Sequence, residues 1–215
     1  MKRRTALKNL GLSFGALTLT PSVMSMLQSC QSTATSWTPS FFSAEMAAAI
    51  DQLTELILPA TATIPGAKEL QLVRFIDSHL LTIANETEQN FILMAVQLFL
   101  DHCRTSAEKT DTTSLSDEDL EGQLAYFLRA SAEDKAKRSE SFNRYRKAVE
   151  SGEKSTAPVE GTCHVFLHNL RNLTVGAFKG HETIAKEHMV YLPVPGEFKG
   201  CVDLQEATQG KIWAL

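Results

Sequence analysis

The sequence predicts an all-α protein, an irregular bundle of about six helices that ends in an extended, proline-rich segment. Two observations carry this. Apolar residues recur every three or four positions in one window after another, the spacing that gathers them on one face of a helix. No stretch sustains the period-two alternation of a half-buried strand, and the breaks between windows fall at proline and glycine.

The chain opens Met1-Lys2-Arg3-Arg4-Thr5-Ala6-Leu7-Lys8 and continues with a weakly apolar run from Leu10 to Leu27, broken by Gly11, Gly15 and Pro21. That pattern reads as a targeting segment, with Arg3, Arg4 and Leu7 fitting a twin-arginine export signal. The run is too short and too polar for a good membrane span. Leu27-Gln28-Ser29-Cys30 resembles a lipobox, so Cys30 is expected to be acylated and to anchor the mature chain, at about 0.8 kcal/mol per buried CH₂. Residues 1–29 are then the signal, 30–36 a Ser/Thr-rich tether, and 37–215 a single folded domain. Losing the four basic residues Lys2, Arg3, Arg4 and Lys8 takes the formal charge from −4 to −8. An acidic domain without a basic cluster argues against a nucleic-acid partner.

Within the domain, Ser43 is a plausible N-cap with Glu45 in the first turn, and Met46, Ile50, Leu53 and Ile57 follow at helical spacing until Pro59, giving a helix from about Ala44 to Leu58. Pro59-Ala60-Thr61-Ala62-Thr63-Ile64-Pro65-Gly66-Ala67 cannot continue it and reads as a structured loop. Two core-lining helices come next, one carrying Leu70, Val73, Ile76, Leu80 and Ile83, the other Phe91, Met94, Val96, Leu98 and Phe99. Ser116 with Asp119 resembles a capping box ahead of a helix with Leu120, Leu124, Phe127 and Leu128. The charged stretch Ala132 to Val149 predicts a surface helix buried along a thin stripe of Phe142, Tyr145 and Val149. After a break from Ser151 to Pro158, a buried helix runs from Val159 to Leu173, with Val165, Phe166, Leu170 and Leu173 inside and Gly176 letting it end. A short helix is expected over His181 to Met189, then the extended Tyr191-to-Gly196 segment and a tail closing at Trp213.

The usual catalytic vocabularies are missing. No Gly-x-Gly-x-x-Gly turn, phosphate-binding loop or nucleophile elbow is present, so any flavin or nicotinamide is expected to sit in another chain. Setting Cys30 aside, Cys103, Cys163 and Cys201 are an odd number, and the sequence does not choose a disulfide pair among them. For a metal, Cys163-His164 with His168 is the best candidate, because His164 and His168 sit one helical turn apart; a further ligand would come from Cys201 or His181. Packed or hydrogen-bonded helical histidines are the plainer reading, and no metal, catalytic or cofactor-binding residue is assigned. Pro-x-Pro-Gly near the end is open to two readings, a rigid turn or a preorganised strip bearing Tyr191 and Phe198 against a partner, and the Pro59-to-Ala67 loop is open in the same way.

The order of motifs is specific. Trp37-x-Pro39-x-Phe41-Phe42 precedes a helix running into Leu56-Ile57-Leu58-Pro59-Ala60-Thr61-x-Thr63-x-Pro65-Gly66-Ala67. Leu173-Thr174-x-Gly176-Ala177-Phe178 and Tyr191-Leu192-Pro193-x-Pro195-Gly196-x-Phe198-x-Gly200-Cys201 follow. In that order, behind a twin-arginine segment, they resemble the gluconate 2-dehydrogenase subunit 3 family across essentially the whole mature chain, apart from the charged middle at about Asp111 to Lys154. The resemblance implies a non-catalytic small subunit. Its partner would be a large FAD-dependent sugar or polyol dehydrogenase of the glucose–methanol–choline type, often served by a cytochrome c subunit. The complex would be escorted through the twin-arginine translocase and held at the periplasmic membrane by a lipid anchor. A metal-binding or structural envelope lipoprotein without a redox partner is the alternative.

Overall fold

The computed structural model describes residues 37–194, 196–197 and 200–214. Arg3, Arg4, Leu7, Cys30, the tether and Pro195 lie outside the described residues. Chain contacts separate two units, Met1–Thr38 and Pro39–Leu215, and of the first only Trp37 and Thr38 are described.

The second unit is helical. Its helices are α1 (Ala44–Ile57), α2 (Leu72–Ile83), α3 (Glu86–Ser106), α4 (Asp117–Leu128), α5 (Ala132–Glu150), α6 (Val159–Gly180) and α7 (Leu204–Thr208). A 3₁₀ turn at Thr112–Ser114 and a π turn at Ile184–His188 join them. Among the described residues the sole β pairing is one parallel bridge, Val190 to Trp213. The all-α expectation holds. None of these helices is long and apolar enough to cross a membrane.

Local chemistry explains where the helices start and stop. Ser43 accepts the Met46 N–H at 3.1 Å and caps α1, and the Leu58 N–H closes its last turn on Thr54. Asn85 and Glu88 form a reciprocal capping box at the head of α3. One turn on, the Gln89 amide donates to the carbonyls of Leu80, Leu81 and Ala84, so one side chain ties off α2 where α3 begins. The expected Ser116–Asp119 box forms as well, and an ion pair with Lys109 helps hold the Asp119 carboxyl at about 2.

Helix α6 is the hub, packing against α1, α2, α3, α4 and α5. Phe166 on α6 meets Phe99 on α3, centroids 5.8 Å apart, and Phe99 meets Phe127 on α4 at 6.5 Å. The helix runs through Gly176 to Gly180, not ending near Leu173 as the sequence suggested. A single helical glycine costs only about 1 kcal/mol relative to alanine, and the buried Thr174 and Ala177 on either side outweigh it.

Helix α5 is indeed a surface helix, yet its buried residues are Phe142 and Arg138; Tyr145 is half-buried and Val149 is exposed. Val149 stands in the last turn, where the helix leaves the body, whereas Arg138 faces α4 and α6. Its Nε donates to Glu160 at 2.9 Å, its Nη1 to the Tyr126 carbonyl at 3.1 Å, and its guanidinium lies 4.3 Å over the Tyr126 ring. Helices α5 and α6 approach closely at Gly161, where a Cβ would fall 2.8 Å from the Arg138 carbonyl oxygen and 3.0 Å from the Phe142 nitrogen. Ile83 also departs from expectation: 69 % exposed, it ends α2 with nothing among the described residues over it.

The chain enters this unit through a buried carboxylate. Asp77 on α2 is fully buried and accepts the backbone N–H groups of Ser40, Phe41 and Phe42 at 2.8, 3.1 and 2.9 Å. Phe42 is thereby pressed into the core, with Phe41 edge-on to it at 4.8 Å. Hydrogen bonds to a charged group contribute about 1.5–3 kcal/mol each, and Asp77→Ala orphans three N–H donors at once. We expect that substitution to lower unfolding stability by about 3 kcal/mol or more, read as a lower urea midpoint; a loss under about 1 kcal/mol would mean that the segment finds other acceptors.

Candidate docking site

The Pro59-to-Ala67 loop is built on one acid. Glu55 of α1 accepts the N–H groups of Ala60 at 3.3 Å and Lys68 at 2.8 Å, and the Ala67 N–H reaches back to the Leu58 carbonyl at 3.0 Å. Thr61 closes the tip: its hydroxyl oxygen accepts the Ile64 N–H at 3.0 Å while its own N–H donates to the Ile64 carbonyl at 2.9 Å. Gly66 is required because a Cβ there would lie 2.5 Å from the Ala60 nitrogen and 2.7 Å from the Glu55 carboxylate. Thr61 and Gly66 therefore hold the loop's shape, while Pro59 and Thr63 are exposed on it.

The loop packs on the far end of the chain. Ala67, Leu70 and Leu72 form one buried cluster with Ala177, Ile184 and Met189, joined by Leu58, Ile64, Phe178 and Ala214. The tail is tied in by the Val190 N–H to the Ile212 carbonyl and the Ala214 N–H to the Val190 carbonyl, each 2.9 Å. Motifs more than a hundred residues apart thus share a small core. Along the tail, Tyr191, Leu192, Val194, Val202, Leu204, Ile212 and Trp213 are all substantially exposed. Pro193, Gly196 and Cys201 are exposed too, Gly196 taking a positive φ of 71°. The tail is not extended throughout, since Asp203 caps the short α7 by accepting the Gln205 and Glu206 N–H groups. An Asp directly before Leu204 was the available signal, too slight for a five-residue helix.

A second feature lies elsewhere in this unit. A cleft of about 640 Å³ runs between α2, α3 and α6. Its lining includes Phe42, Ile50, Ile76 and Leu80, with Phe75, His79 and Ile83 along α2, Phe91 and Ile92 from α3, and Phe166, Leu170, Leu173, Gly176 and Ala177 from α6. Its polar members are Glu88, Asn169, Asn172 and His79, and Glu88 is already engaged with the Asn85 N–H. Of the opening motif, Phe42 belongs to this cleft and not to the tail cluster; the sequence could not assign it, because the contact depends on Asp77.

His164 and His168 lie against each other on α6. The rings of His164 and His168 meet edge-to-face at 4.5 Å, and His164 Nδ1 and His168 Nε2 are buried without hydrogen-bond partners. Among the described residues no three His, Cys, Asp or Glu side chains converge, and of the two remote ligands considered, Cys201 is exposed and His181 Nδ1 instead accepts the Thr183 N–H. Burial lowers the pKa of both rings, reinforced by His168, Arg138 and Lys135 around His164 and by Lys135 and Arg171 around His168. Cys103 and Cys163 are free, buried thiols, each pushed up to about 12, chiefly by burial.

Two outcomes follow. Because the native rings resist protonation while the unfolded ones titrate near about 6.5, the unfolded state takes up protons first as pH falls. The pair's contribution is complete above about pH 6.5 and declines below it until the native rings themselves protonate. The urea midpoint should therefore fall between about pH 7 and pH 5, and His168→Asn should flatten that slope; equal slopes would show the pair to be uninvolved. In a thiol titration of the native protein, Cys201 should react readily while Cys103 and Cys163 react only on unfolding. Rapid labelling of either buried thiol would contradict this packing.

The gluconate 2-dehydrogenase subunit 3 family model matches residues 44–196, running through the charged middle that the resemblance had left uncovered. It takes in the Pro59-to-Ala67 loop and the Leu173-to-Phe178 motif, and it leaves Trp37, Pro39, Phe41, Phe42 and Cys201 outside. No curated protein and no solved structure matches the chain. The match spans well over half of the sequence, and the chain belongs to the gluconate 2-dehydrogenase subunit 3 family.

Proposed function

We propose that this chain is the non-catalytic small subunit of a dehydrogenase complex. It binds, stabilises and escorts for export a large FAD-dependent sugar or polyol dehydrogenase of the glucose–methanol–choline type, with the FAD in that partner chain. The complex works in the periplasm, anchored through an acylated Cys30, and passes electrons to an acceptor such as a cytochrome c subunit. Arg3, Arg4 and Leu7 supply the twin-arginine signal for both chains, a route suited to a flavoprotein that folds around its cofactor before export.

Family membership is the observation that carries the reading, since the family is named for a dehydrogenase subunit. The surface is consistent with it. Seven large apolar side chains stand exposed between Tyr191 and Trp213, apolar surface that a partner subunit would cover. A permanent subunit interface buries on the order of 2,000 Å² or more, and these residues with the apolar cleft offer two places for it.

The test is a gentle affinity purification of the tagged full-length chain from its native host. A larger protein with flavin absorbance that a sugar or polyol bleaches should co-purify, and deleting the chain should strand that protein inside the cell. A colourless, solitary chain, or unchanged flavoprotein export without it, would overturn the proposal.

A further inference from the structure

We draw no further inference here: the strongest candidate, the His164–His168 pair where α5 packs on α6, sets its two unpartnered ring nitrogens among the cations Arg138, Lys135 and Arg171 with no third ligating side chain converging on them among the described residues, and its titration is the acid sensitivity already derived.

Discussion

One helix has to satisfy five neighbours at once. Helix α6 contacts each of α1 to α5, and its sequence divides that work along its length. Near the start, Gly161 permits the backbone of α5 to come within reach, and Glu160 holds Arg138. In the middle, Phe166, Leu167 and Leu170 supply the large buried side chains. Near the end, Thr174, Gly176 and Ala177 are small, and the cleft opens beside them. A bulkier end would fill that cleft, and a bulkier start would push α5 away, so the taper from close packing to open groove is written into one segment.

Two buried charged groups fix what this hub cannot. Asp77 gathers three backbone N–H groups, and Arg138 reaches a carboxylate, a carbonyl and two aromatic rings. Both are expensive to bury and far more expensive to orphan, so they act as locators more than as sources of net stability. Asp77 determines where Phe42 lies and hence part of the cleft's lining; Arg138 determines how α4 and α5 sit on α6.

The legible part of the fold is local. Ser43, Pro59 and the Ser116–Asp119 box mark helix ends through contacts within a few residues, and the structure places those ends close to where spacing put them. What escaped was long-range. Reading Asp77 and Arg138 requires knowing which backbone groups lie opposite, and Gly176 resembles a terminator until Thr174 and Ala177 are seen buried on both sides. Val149 and Ile83 fit their stripes and still end in water, because periodicity marks a face without saying how far along it the neighbours extend. The cleft was invisible for the same reason: its lining comes from separate segments, and only Phe42, Leu173, Gly176 and Ala177 belong to recognised motifs. The Pro59-to-Ala67 loop shows the converse. Its motif was plain, and its cause, the Glu55 carboxylate against Gly66, was not.

The two exposed apolar regions differ in a way that bears on binding. The cleft is framed by long helices tied by caps and by the core, so its shape exists before any partner arrives and little ordering entropy is lost on contact. Among its described residues the tail from Tyr191 to Trp213 has one short helix and is tied by two backbone hydrogen bonds to Val190, and fixing its side chains costs about 1 kcal/mol apiece. Apolar area in the cleft therefore converts to affinity more efficiently than the same area on the tail.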